Sequence, residues 1–589
     1  MWKWFLLFFL VYSNSLWAAD LKSIAQEQEW RRLLYYKHHW FTGKRSSLDG
    51  DDFFLSKSPR DPYAELLATL EAFETGRQGI GKKKQPAICA FPLRKEFLER
   101  RLGQTFPSFP CKEKDEFLQK LNAKRAYLVF ATAYNGNPAS MFGHSFLKIE
   151  SGEKSSLLDW SINYAAMVPE DENPFAFAYF GLTGGYMGQF TLVPYYLKVE
   201  EYGLSEGRDL WEYELNFTPQ EIERLLAAIW EIETNSHYDY YFFDENCSLQ
   251  LLTLLEVVRA DWNISDYFLH MIPGESVKKV AKVPGAIKDV RMRPSLERRL
   301  RNSVELLSAE EKLQLRRGMQ GDLENASGQV LAALAFYFQA EKKREGEKWQ
   351  REGLYRSVLA KIANQPVANS LEPDGKNTRP DISHGAYAVQ LGPIYEKNNQ
   401  ERWGGELGIR FAYHQLFDSD AGYLPHSEVL FPHFTFQWKE HSLRLKQAEA
   451  FSLVSLQPWS LVKKPISWRT RGGYRQFHDE RRGVFVEAGL GSAWRLGTST
   501  VWGFVGGEGR WTKSVVGIPW LELGWIHTFG NEAKLSLQWR NGWRREWYSQ
   551  VLGAGSWPIS QDLSLRLESS YERQAYWQWE QKLLAVHYF

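Results

Sequence analysis

The 589-residue sequence predicts a multidomain chain. An α+β domain carrying a thiol is flanked by helical N-terminal and linker regions. A transmembrane antiparallel β-barrel of about twelve strands closes the chain. Three observations predict this. The apolar period switches to two near residue 384. Fifteen of the 25 tryptophans lie beyond residue 400. Between the helix-patterned regions, a β-type stretch bearing His144 precedes a leucine-rich helix that begins at Cys247.

Met1-Trp2-Lys3, the apolar run Trp4–Tyr12 and the small residues Ala18-Ala19 read as a secretory signal peptide over residues 1–19. The run is too short to span a bilayer, and no later segment is long and apolar enough for a membrane helix. Residues 20–125 are helical in pattern: Trp30, Leu33 and Leu34 share one face, and Pro62 opens a second helix. A formal charge of +1 gives no argument for a nucleic-acid partner. Of the three cysteines, Cys89 and Cys111 are close in sequence, so a local disulfide leaving Cys247 free is the simplest pairing in an exported chain.

Residues 126–260 form the expected thiol domain. Ala126–Ala133 reads as a strand, Asn135-Gly136-Asn137-Pro138 as a turn, and Phe142–Glu150 with Ser156–Tyr164 as a hairpin. Thr218-Pro219-Gln220-Glu221 is a capping box with Pro in the first turn. Residues 261–381 are helix-prone, with a second capping box at Ser308–Glu311 and a linker rich in Pro, Asn, Asp and Gly over 364–381. Over 382–589, Val484, Val486 and Leu490 alternate with Phe485, Glu487 and Gly491. Leu535 and Leu537 alternate with Ser536 and Gln538, and Leu563, Leu565 and Leu567 with Ser564 and Arg566. One apolar face, one polar face and aromatic ends are the marks of a membrane barrel, with tryptophan at its interfaces. The terminal Phe589 resembles the assembly signal of bacterial outer-membrane barrels.

The chemistry centres on Cys247. Asn246 is a good N-cap, so the thiol sits at a helix N-terminus, where the dipole favours a thiolate. His144 is the candidate base. A histidine needs an orienting acceptor; hairpin register places Asn163 near it, with Asp159 as second choice. His237 is a rival base. Against all of these stands the plainer reading of Cys247 as a small buried apolar residue.

Pro138–Leu147 (PASMFGHSFL), Ile162–Ala166 (INYAA), Gly184-Gly185-Tyr186, Arg208–Tyr213 (RDLWEY) and Asn246-Cys247 together resemble the periplasmic domain of Lnb-type bacterial lipoprotein N-acyltransferases. That family is similar to circularly permuted papain-like enzymes. The resemblance implies a permuted papain-like fold, Cys247 as nucleophile, His144 as base and nearby roles for Ser140, Asn163, Tyr186 and Asn246. Ser140 or Asn246 would support an oxyanion. No cofactor or metal is expected. Lnb-type enzymes carry membrane helices after this domain, whereas here a barrel follows, which leaves donor and acceptor open. The expected location is the bacterial outer membrane with soluble domains in the periplasm, and the expected substrate a phospholipid or lipoprotein. A cell-wall peptide amidase of the same fold, or a non-catalytic barrel with a scaffolding domain, are the alternatives.

Overall fold

A computed structural model describes residues 20–39, 43–48, 53–134, 138–152, 155–169, 172–236, 238–241, 246–267, 271–364, 379–398, 400–439, 442–477, 482–544, 546–573 and 577–589. The signal peptide read over 1–19 and most of the linker read over 364–381 lie outside them. Met1–Ala131, Gly143–Gly203 and Leu210–Arg293 make one compact unit; Thr132–Phe142, Leu204–Asp209 and Pro294–Phe589 make the other.

In the first unit, helices α1 (Gln28–Leu33), α2 (Pro62–Glu74), α3 (Pro92–Leu102) and α4 (Lys112–Leu121) precede a seven-stranded antiparallel sheet. Its strands are β1 (Arg125–Ala131), β2 (His144–Glu150), β3 (Trp160–Ala166), β4 (Tyr186–Pro194), β5 (Leu210–Leu215), β6 (Tyr238–Tyr240) and β7 (Ile287–Arg293). They pair in the order β6-β4-β3-β2-β1-β5-β7. Interspersed are α5 (Pro174–Thr183), α6 (Pro219–Asn235), α7 (Cys247–Val258) and α8 (Pro273–Ala281).

Both faces of the sheet are buried, which accounts for the unbroken apolar run of β1. Leu128, Leu147, Ile149 and Ile162 pack into the helical core, while Tyr127, Val129 and Phe146 pack with Tyr195 and Tyr202 on the other side. Residues 20–125 and 126–260, read as separate regions, share one core, to which Trp30, Leu66, Phe97, Leu225 and Leu254 all contribute. The sheet also runs past residue 260 to take in β7. The buried pair Arg94–Glu65 (2.7 Å) fixes the N-terminal segment: Glu65 also accepts from the N–H groups of Leu55 and Ser56, and Arg94 donates to the Phe53 carbonyl. In α6 the Thr218/Glu221 capping box closes as read, with Pro219 in the first turn.

The second unit carries helices α9 (Leu296–Glu305), α10 (Ala309–Met319), α11 (Gly328–Glu345) and α12 (Glu352–Ala363). Their core includes Leu300, Leu334, Phe338 and Val358, and Leu461 and Val462 from a barrel loop pack against it. Lys463 of that loop pairs with Glu297 at 2.8 Å.

The barrel strands are β8 (Ala388–Lys397), β9 (Glu401–Arg410), β10 (His433–Lys439), β11 (Ser442–Ser455), β12 (Ser467–Gln476), β13 (Arg482–Leu496), β14 (Ser499–Trp511), β15 (Val515–Thr528), β16 (Lys534–Arg544), β17 (Glu546–Ser560), β18 (Leu563–Arg573) and β19 (Trp577–Tyr588). Each pairs antiparallel with the next, and β19 returns to β8 with Tyr588 opposite Ala388, so the twelve strands close. Burial runs opposite to that of a water-soluble sheet. Leu523 and Leu537 point outward at 49% and 53% exposure, whereas Glu487 and Glu522 point inward at 1% and 2%. Trp403, Trp438, Trp511, Trp543, Trp547 and Trp577 lie exposed towards one rim, and Trp494 and Trp557 towards the other. An apolar exterior between two aromatic girdles matches a bilayer.

The lumen is filled rather than open. Arg540 pairs with Glu487 (3.0 Å) and Glu522 (2.7 Å), Arg469 with Glu522 (2.6 Å), and Arg475 with Glu508 (2.6 Å). Gly489 and Gly506 leave room for the Trp520 ring, which a Cβ at either position would strike at 2.3–2.4 Å. The long connection after β9 folds against the inner wall, with Asp418 held by Arg410 (2.5 Å), Arg566 (2.8 Å) and the Tyr588 hydroxyl (2.8 Å).

Candidate active site

Cys247 is the first residue of α7. The Asn246 carboxamide oxygen accepts from the N–H groups of Ser248 (3.1 Å) and Leu249 (3.2 Å), while its amide donates to the Met271 carbonyl. Every residue of α7 is buried, so the thiol is carried by a helix with little freedom to shift.

His144 is the first residue of β2. Gly143 delivers it: with φ of +83°, a Cβ there would strike the Phe130 ring at 2.5 Å and the Ala131 carbonyl at 2.9 Å, so only glycine makes the turn. The imidazole Nε2 lies 2.6 Å from Asn163 Oδ1. That oxygen can only accept, so Nε2 carries the proton and the ring's hydrogen bond with the Cys247 thiol falls to Nδ1. The β2–β3 ladder pairs Lys148 with Ser161; carried along, this register sets His144 opposite residue 165 and makes Asn163 its diagonal neighbour on the same face. The ring also packs near Tyr202, at 5.6 Å between centroids.

Burial alone would raise the thiol's pKa. The His144 charge and hydrogen bond, the Ser145 N–H and the Ser248 hydroxyl at 3.8 Å outweigh it, and the thiol comes down to about 7. Tyr240 sits beside the sulfur, and burial together with the thiolate pushes its phenol well above the ordinary range.

The other residues singled out from sequence do different work. Asp159, the second choice of acceptor for His144, is turned away from it: its carboxylate takes the Ser151 N–H (3.2 Å) and the Lys148 ammonium (3.5 Å) at the far end of the hairpin. Asn246 acts as helix cap and anchor, with its amide committed to Met271 rather than aimed at an oxyanion. Tyr186 bonds Glu172 at 3.1 Å and pairs with Tyr240 in the β4–β6 ladder. Ser140 lies in the short 3₁₀ turn Pro138–Phe142, where its carbonyl accepts from the Tyr134 N–H. His237 lies outside the described residues. Cys89 and Cys111 are disulfide-bonded with Cα atoms 5.3 Å apart, and Cys247 is free.

Tyr202 was not visible from sequence. It sits on a π-helix, Val199–Ser205, a rare conformation that its residue types do not signal. Ser145 was also missed as a thiolate donor, because it acts through its backbone. In the second unit, His384, His414 and Asp418 converge closely enough to suggest a metal. Asp418 is already held by two arginines, and a divalent cation would face their charge at contact distance, so these residues do not fit a metal centre.

The model for the Lnb N-terminal periplasmic domain matches residues 113–282. Residues 113–282 are an Lnb-type periplasmic domain. Two domains of unknown function flank it, DUF7843 over 22–101 and DUF7840 over 377–589, the latter coinciding with the barrel. No curated protein matches the chain. Among solved structures, the anion-selective porin from Comamonas acidovorans aligns at 10% identity, covering 34% of this chain and 98% of its own, with a TM-score of 0.19. The outer membrane phospholipase A from Escherichia coli aligns at 12%, covering 35% and 97%, with a TM-score of 0.23. The barrel assignment rests on the closed ladder and the outward apolar face. With the Lnb match in the same chain, this is an outer-membrane protein whose Lnb domain faces the periplasm.

Proposed function

We propose that the Lnb domain is a thiol acyltransferase or acyl hydrolase acting on phospholipid or lipoprotein acyl groups through a thioester at Cys247. What carries the reading is the chain Asn163–His144–Cys247: an acceptor 2.6 Å from the imidazole, and a free thiol brought to about 7 beside it. Nucleophile, base and orienting group stand in one file.

In the first half-reaction the Cys247 thiolate attacks the ester carbonyl, and the helix-start N–H of Cys247 faces the developing oxyanion. The C–O bond breaks, the acyl group stays on sulfur and His144 protonates the departing alcohol. In the second half, an amine or water attacks the thioester, gives its proton to His144 and releases the thiolate. Asn163 holds the ring in the tautomer both steps need. The apolar, glycine-punctuated segment 175–190 is the candidate acyl-chain groove or lid.

Intact-mass analysis of the full chain with phospholipid, before and after hydroxylamine, tests this. An acyl adduct that hydroxylamine removes and Cys247→Ala lacks is expected. No adduct with any lipid, together with cleavage of cell-wall peptides, would replace the reading with an amidase.

A further inference from the structure

The two faces of β2 pack into different layers, because successive residues of a strand point to opposite sides. Leu147 and Ile149 lie in the core that also holds α7 and Cys247, whereas Phe146 packs with Val129, Ala131, Tyr195 and Tyr202 in the opposite layer. His144 belongs to that second layer, since it stands opposite Ala131 in the β1–β2 ladder. Its place at the first position of the strand lets its ring reach round to the thiol. The layer that carries Cys247 is therefore not the layer that carries the imidazole.

Asn163 and Cys247 bond the two ring nitrogens of His144. Those bonds fix the edge of the ring; its tilt about the line joining them is set by what its faces touch. The Tyr202 ring lies 5.6 Å from the imidazole centroid at an interplanar angle of 39°, and the Phe146 ring 6.3 Å away at 25°. Tyr202 and Phe146 are themselves 5.8 Å apart, and Tyr195 backs Phe146 at 6.3 Å. Phe146 and Tyr195 are fully buried, and Tyr202 is 5% exposed.

Distance separates the two aromatic neighbours. A cation is drawn to a ring face within about 6 Å of its centroid, most strongly where both are desolvated. Tyr202 meets that limit and Phe146 does not. When Cys247 gives its proton to His144, the imidazolium forms beside the Tyr202 ring. Tyr202 reaches this place on the π-helix Val199–Ser205, a conformation that recurs at functional sites.

We propose that Tyr202 is a positioning residue: its ring fixes the tilt of His144 and favours the imidazolium–thiolate form of the pair. The claim rests on the Cys247–His144 pairing of the thioester reading. Charged groups around the cluster are already paired. Lys198, 5.4 Å from the Tyr202 ring centroid, is bonded to Glu201 at 2.6 Å. Lys148, on the same face of β2, meets Glu212 at 3.0 Å and Asp159 at 3.5 Å. Glu212 also accepts from the Tyr195 hydroxyl at 2.6 Å and meets Arg293 at 3.6 Å. Tyr240 stands beside the sulfur.

Alkylation of Cys247 against pH, in the full chain in detergent, tests the role. Tyr202→Phe keeps the ring face and should leave the midpoint at the wild-type value of about 7. Tyr202→Leu removes the face and should raise the midpoint by about one pH unit, while the limiting rate at high pH stays within about threefold of wild type. Tyr202→Met fills the space with a flexible chain, should give the same result, and decides the question if Tyr202→Leu does not fold. A midpoint unmoved in either folded variant, or moved equally by Tyr202→Phe, would overturn the role of Tyr202 and leave the pair intact. A wild-type midpoint at the ordinary thiol value of about 8.5 would overturn the pair, and this role with it.

Discussion

The two units solve burial in opposite ways. In the Lnb unit leucines fill the centre: Leu249, Leu251, Leu252, Leu254 and Leu255 of α7 are fully enclosed, and the buried charges form a few local sets, such as Arg94 with Glu65 and Lys148 with Glu212 and Asp159. In the barrel the leucines face out and the carboxylates face in, where Glu487, Glu508 and Glu522 are matched by Arg469, Arg475 and Arg540. The same residue types are sorted by two different solvents. Water drives apolar groups inward, whereas lipid leaves apolar side chains at its own contact and obliges charges to pair inside. The thiol of Cys247 lies in the first arrangement, at a helix N-terminus beside the His144 imidazole.

Substitutions can break this contrast. The largest stability effect is expected at Glu487→Gln, which removes the shared partner of Arg469 and Arg540: about 3–5 kcal/mol, read as a lower denaturant midpoint for barrel unfolding in detergent. Leu254→Ala should cost the Lnb unit about 2–5 kcal/mol by leaving a cavity in α7's packing, measured by chemical denaturation followed at that unit. Leu537→Arg, on the barrel's outer face, should cost about 2–4 kcal/mol in bilayer refolding, whereas Leu537→Ala should cost less than Leu254→Ala.

The smallest of these effects concerns Glu231, buried in α6 and accepting from the Leu93 N–H at 2.6 Å. Burial, only partly offset by Arg94, raises its carboxyl to about 7. The folded state therefore binds a proton that the unfolded state has released, and stability falls as pH rises from the ordinary carboxylate range through about 7. Glu231→Gln should remove that loss, raising stability at pH 8 by up to about 3 kcal/mol and leaving it nearly unchanged at pH 4. Thermal melts at the two pH values read the difference.

The barrel was legible in sequence because strand period and lipid contact both write themselves into alternation: Val484, Val486 and Leu490 against Glu487 needed no tertiary information. The shared core of residues 20–125 with the sheet was not legible, because a helix face at Trp30 and Leu33 says that it is buried, not against what. At the site, Asn246 as cap and Cys247 at a helix start are local properties and were readable. The choice between Asn163 and Asp159 depended on register. Both alternate onto the face of His144, and only the length of the turn decides that Asp159 falls beside Ser151 instead. Tyr202 lay beyond reach because a π-helix has no residue signature.

The proposed chemistry requires that His144 set the charge of Cys247. The most direct measurement is the pH dependence of Cys247 alkylation in the intact protein and in His144→Ala. Wild type should react with a midpoint near 7, with thiolate dominant above it and lost below. In the variant, burial acts unopposed by the imidazole, and the midpoint should rise above the ordinary thiol value of about 8.5. A midpoint that is ordinary in wild type, and unmoved by removing His144, would contradict the account.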